Sequence, residues 1–578
     1  MMRTKKGALG VALGVAVALA AAGCGGGSGT GGGTTGSTST NKGGTLYMLN
    51  LGPVDHWDPQ RIYVGADIQF ASRVFARTLT TFPPGKTIQD QSKLIPDLAT
   101  NTGDVSDGGK TWKFTLKGDA KWQDGKPVTC EDLKYGISRT FAADQITGGP
   151  NYAIAYFDIK KNADGSSMYA GPYKKTGQDL YDKAVTCSGQ TITFHLSQPV
   201  NDFNQTVTFP AFGAFRQDKD QGAKSDYAIF SDGPYMLQGN WETNKGGTFV
   251  RNPNWSAASD PFRKAYPDSI VYQEGIDGET VSQRIMADSG NDKFAVTESQ
   301  APPALQAQIM SNPAVKDRST NPAAPYVDYL LPNFKSKVMS NEKARQALAM
   351  STNRDAYVTA YGGLTAATPS YAMINKALKG YKDFNPFGVP TSGDPAKAKA
   401  VLQSSGLTLP VPITVTYRKR PTSDKALAAL IGGWEQAGFK VTLDGIAQKY
   451  YSTIQNPAYA SKTDVLWGSW GADWPSGSTV IPALFDSRPN ISAGGPGQDY
   501  GYFADSEVNS KIDEAFKITD ATAREKAWGD VDEMIAKKVG YVGLDNQKFM
   551  FPHGSGVKNY SDNQILGGYV ELADIAVK

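Results

Sequence analysis

Hydrophobic residues recur at a strand-like spacing in some segments of the chain and at a helix-like spacing in others. This pattern predicts short strands alternating with helices. A strict alternation, as in Thr111–Lys117, is typical of a half-buried strand. By these patterns, strands are predicted at 43–49, 111–117, 413–417 and 439–443, and helices at 67–79 and 423–436. The alternation of the two element types predicts a mixed α/β architecture.

A third helix signal follows the predicted strand at 111–117. Thr129 and Asp132 have the spacing of a capping box, in which each side chain bonds the backbone of the other. Leu133, Ile137 and Phe141 then recur on one helical stripe. We therefore expect a helix to begin directly after Thr129.

The stretch 464–475 combines a strand with a carboxylate among aromatic rings. Val465–Trp467 is a short apolar run typical of a buried strand, and Pro475 ends it. Asp473 follows between Trp470 and Trp474, where an unpaired carboxylate would cost free energy. Its cationic partner is either a Lys or Arg of the protein or the ammonium group of a ligand, and these residues alone leave both open.

Composition and charge narrow the function classes. A chain of 578 residues is too long for one core, and its length suggests about three or four domains. The excess of 59 basic over 56 acidic residues equals the contribution of Arg3, Lys5 and Lys6. The remainder is formally neutral, which argues against nucleic acid as the main partner. The 27 Tyr and 62 Gly suit a loop-rich protein with an aromatic-lined site.

The N-terminus has the pattern of a secretion signal. A basic start precedes a short apolar run with small residues, which predicts a signal peptide at 1–23. Ala21–Cys24 resembles a bacterial lipobox, although Ala21 stands where Leu is usual, and predicts lipidation of Cys24. Residues 24–42 are rich in Gly, Ser and Thr, as in a flexible tether. The alternative is an ordinary signal peptide with an incidental cysteine.

The other reactive residues favour neither a metal site nor an enzyme. Cys130 and Cys187, in an exported chain, are expected to form one disulfide. The three His are not grouped with Cys at metal-ligand spacing, so no metal or other cofactor is predicted. Neither a nucleophile elbow nor a glycine-rich phosphate loop is present in the sequence. An exported hydrolase and an adhesive surface protein stay as alternatives from other classes.

Five segments, in order, resemble the solute-binding proteins of peptide-type ABC transporters. They are Trp112–Asp132, Asp232–Tyr235, Arg251–Trp255, Asn341–Leu348 and Asp394–Gly406. Cys130 departs from the pattern, which usually has Ala there. The resemblance covers nearly everything after the tether and implies a two-lobed α/β fold, like that of periplasmic binding proteins, with an extra small domain and a ligand cleft between the lobes. The expected division is lobe I at 43–103, 204–325 and 541–578, the inserted small domain at 104–203 and lobe II at 326–540.

The resemblance also implies ligand-binding residues in the second lobe. Peptide binders of this family hold the α-ammonium of the ligand with the Asp of a W-x-x-D segment, and Trp470, Gly471, Ala472 and Asp473 fall on it, followed by Trp474. The family often has Asp-Pro shortly afterwards, whereas this chain has Ser-Gly at 476–477. The loop beyond Asp473 is therefore expected to differ.

Two further segments complete the expected site. Arg420 with Pro421 resembles the Arg-Pro by which dipeptide-type members hold the α-carboxylate; the alternative is a solvated basic loop. Tyr63, Val64 and Gly65 fall where the family's first lobe contacts the ligand.

Together these features predict an extracytoplasmic substrate-binding lipoprotein of an ABC importer. It would capture short peptides between closing lobes and deliver them to permease subunits, as a monomer anchored to the outer face of the cytoplasmic membrane. The main alternative is an oligosaccharide-binding protein of the same fold, since Trp467, Trp470 and Trp474 could also form a platform for sugar. A neutral sugar, however, has no ammonium group to pair with Asp473. A nickel-chelate ligand is a further alternative without a distinctive signal.

Overall fold

The computed structural model describes residues 41–162, 166–491 and 495–578. The predicted signal peptide, Cys24 and all but the last two residues of the predicted tether lie outside the described residues. Within the described ranges, no helix combines the length and the apolar character needed to cross a membrane.

Strands and helices are distributed along the whole described chain. The elements to residue 206 are β1 (Thr45–Leu49), α1 (Gly65–Val74), β2 (Thr80–Thr81), α2 (Ile88–Gln91), β3 (Ile95–Pro96), β4 (Asp104–Ser106), β5 (Thr111–Thr115), α3 (Cys130–Arg139), α4 (Tyr152–Tyr156), α5 (Gln178–Ala184), β6 (Val185–Ser188), β7 (Thr191–His195) and α6 (Phe203–Thr206). The next, to residue 369, are β8 (Tyr235–Glu242), β9 (Gly246–Arg251), β10 (Ser269–Gln273), α7 (Gly278–Ala287), β11 (Ala295–Val296), α8 (Pro303–Ser311), α9 (Pro313–Lys316), β12 (Ser319–Thr320), β13 (Tyr326–Pro332), α10 (Glu342–Ser351), α11 (Arg354–Tyr361) and β14 (Ala367–Pro369). The last are α12 (Pro395–Gln403), β15 (Val411–Arg418), α13 (Pro421–Gln436), β16 (Phe439–Ile446), α14 (Tyr450–Ile454), β17 (Val465–Gly471), α15 (Ile481–Phe485), α16 (Ser487–Asn490), α17 (Ser506–Lys517), α18 (Ala521–Lys537), β18 (Val542–Gly543), β19 (Asp545–Gln547), β20 (Phe551–Pro552), β21 (Asp562–Asn563) and β22 (Tyr569–Val570).

The first large sheet has the strand order β11-β1-β10-β9-β8. β1 runs parallel to both β10 and β11, so the carboxyl ends of these three strands meet at one edge. Aromatic side chains fill the core beneath the sheet: Trp57 meets Trp241 edge-to-face at 5.3 Å between ring centroids, and Phe70 meets Tyr272 at 4.9 Å.

The second large sheet has the order β16-β15-β17-β13-β18. β15 is parallel to β16 and β17, whereas β13 is antiparallel to β17. The helix α13 covers this sheet because Leu427, Leu430 and Trp434, at helical spacing, are all fully buried. The carboxyl ends of β15, β16 and β17 consequently lie at a common edge.

A smaller antiparallel sheet, β4-β5-β7-β6, is inserted in sequence between β1 and β8 of the first sheet. On β5, Trp112 and Phe114 are opposite Phe194 and Ile192 of β7, and all four are buried. The predicted capping box is confirmed, because Thr129 and Asp132 bond each other's backbone where α3 begins. At that point the structure joins Cys130 to Cys187 by a disulfide, with Cα atoms 5.9 Å apart.

The predicted strands and helices are present, but one helix ends earlier than predicted. The sequence pattern predicts a helix over 67–79, whereas α1 spans Gly65–Val74. The backbone of Thr78 and Leu79 instead accepts hydrogen bonds from the N–H groups of Leu98 and Asp97, at 2.9 and 3.0 Å. Pairing with a distant segment therefore overrides the local helical pattern.

Two segments run side by side between the large sheets. The first leads from β11 to β13, and the second follows β18 toward the C-terminus; β12 and β20 pair where they meet. Their contact continues where the backbone N–H of Asp328 donates to Asp545 Oδ1 at 3.0 Å. The predicted lobe boundaries stay predictions.

Candidate ligand-binding site

Asp473 follows the strand β17 and lies at the edge of the second sheet. The last residue of β17, Gly471, pairs with Tyr326 of β13, and the N–H of Ala472 donates to the carbonyl of Pro325 at 3.0 Å. A Cβ atom at Gly471 would collide with the ring of Tyr326, so glycine allows the two strands to approach. Asp473 is the second residue beyond this pairing.

The Asp473 carboxylate receives hydrogen bonds from two tyrosines that belong to distant parts of the chain. Tyr63, just before α1, donates its hydroxyl to Oδ2 at 2.8 Å, and Tyr152, on α4, donates to the same oxygen. The backbone N–H of Asp473 donates to Thr479 Oγ1 at 3.2 Å. This carboxylate thus joins three parts of the fold: the loop before α1, the helix α4 and the second sheet.

No Lys or Arg of the described ranges forms an ion pair with Asp473. Burial raises its pKa to about 6, opposed by hydrogen bonds from Tyr152, Tyr63 and Thr479. Burial, followed by the charge of Asp473, also raises the pKa of Tyr63 and of Tyr152. A basic side chain is therefore not the partner of Asp473 within the described residues. Uncharged tyrosine hydroxyls bond its carboxylate instead.

The tryptophans around Asp473 are mostly used for packing. Trp474 is 1% exposed, its ring lies 4.9 Å from that of Tyr152, and its Nε1 donates to Ser478 Oγ at 2.9 Å. Trp467 is 7% exposed and donates to Tyr357. Only Trp470, among the three, is half-buried, and its Nε1 donates to the carbonyl of Thr479 at 3.1 Å.

Arg420 lies at the same edge of the second sheet. It follows β15, which runs parallel to β17, and it precedes Pro421 at the start of α13. The side chain is exposed and forms no ion pair with the described residues. Burial raises the pKa of nearby Asp328, and hydrogen bonds and the charge of Arg420 lower it. The guanidinium is thus available to an anionic group at this edge.

The segment Tyr63–Gly65 faces the site from the first sheet. Tyr63 is 39% exposed despite its bond to Asp473, and Val64 is 44% exposed. Gly65 begins α1 against the second sheet, where an added Cβ would lie 2.7 Å from Tyr326 Oη. Tyr63 and Gly65 therefore lie against Asp473 and Tyr326, and Val64 is exposed between them in sequence.

Sequence reasoning missed Tyr152, Thr479 and Tyr326. Tyr152 belongs to no motif in the sequence and meets Asp473 across 321 positions, so no local signal could have revealed it. Thr479 lies in the loop predicted to differ, and its bond to the backbone of Asp473 fixes that loop.

The comparisons with known proteins agree with this architecture. Residues 93–492 match the family described as bacterial extracellular solute-binding proteins, family 5 Middle. A dipeptide-binding protein of Lactococcus lactis subsp. cremoris is 26% identical over 74% of this chain and 76% of its own length. A probable deoxycholate-binding periplasmic protein of Escherichia coli is 22% identical, over 86% and 88%. The solved structure of clavulanic acid biosynthesis oligopeptide binding protein 2 superposes with a TM-score of 0.85 at 26% identity, covering 93% of this chain and 96% of that one.

Proposed function

Because the chain belongs to the family 5 extracellular solute-binding proteins and has their two-lobed α/β fold, we propose that it captures short peptides through Asp473. The single observation that supports this most is the carboxylate of Asp473, which lies between the sheets with hydroxyl donors but without a cation from the described residues. The α-ammonium of a peptide would supply the missing positive charge.

Closure of the two lobes around a peptide would strengthen the pairing of Asp473 with the α-ammonium group. Asp473 belongs to the second sheet, whereas Tyr63 and Tyr152 come from segments that precede it by hundreds of residues. A ligand between them would be surrounded as these parts approach, and loss of water strengthens a charged pair. The two tyrosines would hold the carboxylate toward the ammonium group.

The other end of the peptide would bind Arg420. Its guanidinium, which forms no ion pair within the described ranges, lies at the same strand edge as Asp473, and a guanidinium can bond both oxygens of a carboxylate. Recognition of the two termini would leave the sequence between them less restricted, because termini are common to all peptides.

The burial of the tryptophans favours peptide over oligosaccharide. A sugar platform needs exposed ring faces, but Trp474 and Trp467 are 1% and 7% exposed and their indole N–H groups already have acceptors. Asp473 would also face a neutral sugar without an ammonium group.

We further propose that the protein is a lipoprotein of an ABC importer. The basic start, the apolar run and Ala-Gly-Cys before a Gly-rich tether support cleavage before Cys24 and lipidation of its thiol. The body would then be held at the outer face of the cytoplasmic membrane and deliver peptide to permease subunits.

The experiment that tests the proposal compares the two ligand classes directly. Purified protein is unfolded and refolded to remove co-purified ligand, which is identified by mass spectrometry, and is then titrated calorimetrically with tetra-alanine and with neutral tri- and tetrasaccharides. Peptides in the extract and binding of tetra-alanine alone are the expected results. Binding of the saccharides alone would refute the proposal in favour of the sugar-binding alternative.

A further inference from the structure

A second pocket opens at the carboxyl edge of the first sheet, and Val64, which follows Tyr63, is part of its lining. It is formed by the loop after β1, by Tyr272 of β10, by Glu298 just after β11 and by the first turn of α1. Because β1, β10 and β11 are parallel, their carboxyl ends meet here. This is the edge where open α/β sheets generally bind ligands.

Two buried carboxylates line this pocket, and each has at least one oxygen without a partner in the described part of the chain. Asp67 and Glu298 are both 7% exposed. Glu298 Oε2 accepts hydrogen bonds from Asn50 Nδ2 at 3.3 Å and from the Tyr272 hydroxyl at 3.4 Å, whereas its Oε1 has no partner among the described residues. No group in the described ranges donates to the carboxylate of Asp67. Asp55 adds a third carboxylate at the rim.

These carboxylates differ from Glu274, which has a structural role beside them. Glu274 Oε1 accepts the N–H of Asn244 and its Oε2 the N–H of Val54, both at 2.7 Å. It thereby fixes the loop that forms one wall of the pocket. Asp67 and Glu298 have no such bonds to backbone, and no Lys or Arg in the described part of the chain pairs with either of them.

The electrostatics favour a cation in this pocket. Burial raises the pKa of Asp67 to about 8, and the charges of Asp55 and Glu274 act in the same direction. Burial and then the charge of Asp67 raise the pKa of Glu298, while the bonds from Tyr272 and Asn50 lower it. A bound cation would stabilise the ionised carboxylates and release their protons.

The rim indicates what kind of cation fits. Leu51 is 54% and Val64 is 44% exposed, and both line the mouth above the carboxylates. An apolar rim over a floor of carboxyl groups that a cation can ionise suits a long aliphatic stem with a terminal charge, as in lysine or arginine. No cluster of His, Cys, Asp or Glu in the described ranges has an arrangement that could hold a metal ion.

We infer that this acidic pocket binds the ammonium or guanidinium group of a side chain of the ligand, whose α-ammonium is held by Asp473. The inference rests on the proposed function and deepens it, because it names the ligand class as cationic peptides. The continuity of the two sites carries it: Tyr63 bonds Asp473, and Val64, Ala66 and Asp67 line the acidic pocket.

The test is a lysine scan. Tetra-alanine variants with lysine or norleucine at each position are titrated into the refolded, ligand-free protein by calorimetry. Norleucine keeps the aliphatic stem without the charge, so the ratio of the two affinities isolates the cation. At one position lysine should bind about tenfold or more tightly than norleucine, a typical result for a partly desolvated charge pair.

Substitutions in the acidic pocket test whether the preference for lysine arises there. Glu298→Gln and Asp67→Asn should each reduce the preference for lysine over norleucine severalfold while the affinity for tetra-alanine is kept. Glu279→Gln, which removes an exposed carboxylate on α7 of the same sheet region, is the matched control and should retain the preference. In the wild type, calorimetry in buffers of different ionisation enthalpy should show more proton release with the lysine peptide than with the norleucine peptide.

The outcomes distinguish the inference about the acidic pocket from the proposed peptide-binding function. Equal affinity for lysine and norleucine at every position, with tetra-alanine still binding, would overturn the inference and leave the proposed function standing. Failure of all the peptides to bind would refute both. A preference for lysine that survives both substitutions would also overturn the assignment to this pocket.

Discussion

The pH dependence of peptide binding follows from the position of Asp473. With a pKa of about 6 in the unliganded site, the carboxylate is mostly ionised at neutral pH and mostly protonated in acid. Only the ionised form can pair with an ammonium group, and that pairing lowers the pKa in the complex. Affinity should therefore be fully present above the unliganded pKa and fall as the pH drops through it.

The magnitude follows from the ionised fraction. That fraction falls from nearly one at about pH 7.5 to about one tenth at about pH 5, so affinity should fall about tenfold, or about 1.4 kcal/mol. Tetra-alanine is the appropriate ligand, because it has no side chain that titrates in this range. Its affinity is measured by calorimetry at closely spaced pH values.

Two variants test the assignment to Asp473. Tyr63→Phe removes a donor that lowers the pKa, so the midpoint should move to higher pH. Asp473→Asn should abolish the dependence. Tyr459→Phe, which removes a hydroxyl bonded to Asp444 on the strand β16 instead, is the control and should leave the midpoint unchanged. An affinity that is constant across the range, or a profile that persists in Asp473→Asn, would refute the reasoning.

Three further predictions concern other parts of the chain. Thiol titration of the unreduced, denatured body should find neither Cys130 nor Cys187 free, and reduction should destabilise it by roughly 4 kcal/mol for a separation of 57 residues; two free thiols would contradict this. Cys24→Ser should release the protein into the medium or leave the signal uncleaved, and a processed mutant that still needs detergent would disprove lipidation. Arg420→Ala should weaken tetra-alanine about tenfold or more but leave its C-terminal amide unaffected, and equal losses for both would reject the carboxylate role.

Much of the fold could be predicted because local patterns and packing agree. The predicted strand at 413–417 lies within β15, and the helix 423–436 lies within α13, where the apolar stripe meets the sheet. The end of the 67–79 helix could not be predicted, because pairing of Thr78 and Leu79 with a later segment decides it. Local sequence does not contain that competing partner.

The site could also be predicted only in part. Asp473 could be singled out because it follows a strand, lies between two tryptophans and falls on the W-x-x-D segment of the family that the chain resembles. Its actual donors could not, since Tyr63 and Tyr152 reach it only through the assembled sheets. The same holds for Asp67 and Glu298, because the first turn of α1 and the end of β11 line one pocket only in the folded chain. The burial of Trp474 likewise depends on the small sheet's helices.

The pairing of Asp473 with the ligand's α-ammonium is tested most directly by a double-mutant cycle in calorimetry. Wild type and Asp473→Asn are each titrated with tetra-alanine and with N-acetyl-tetra-alanine. Either change alone should weaken binding by about 30-fold or more, because it removes one partner of a desolvated charge pair, and the second change should then add little. Equal binding of the free and acetylated peptides to the wild type would contradict the pairing.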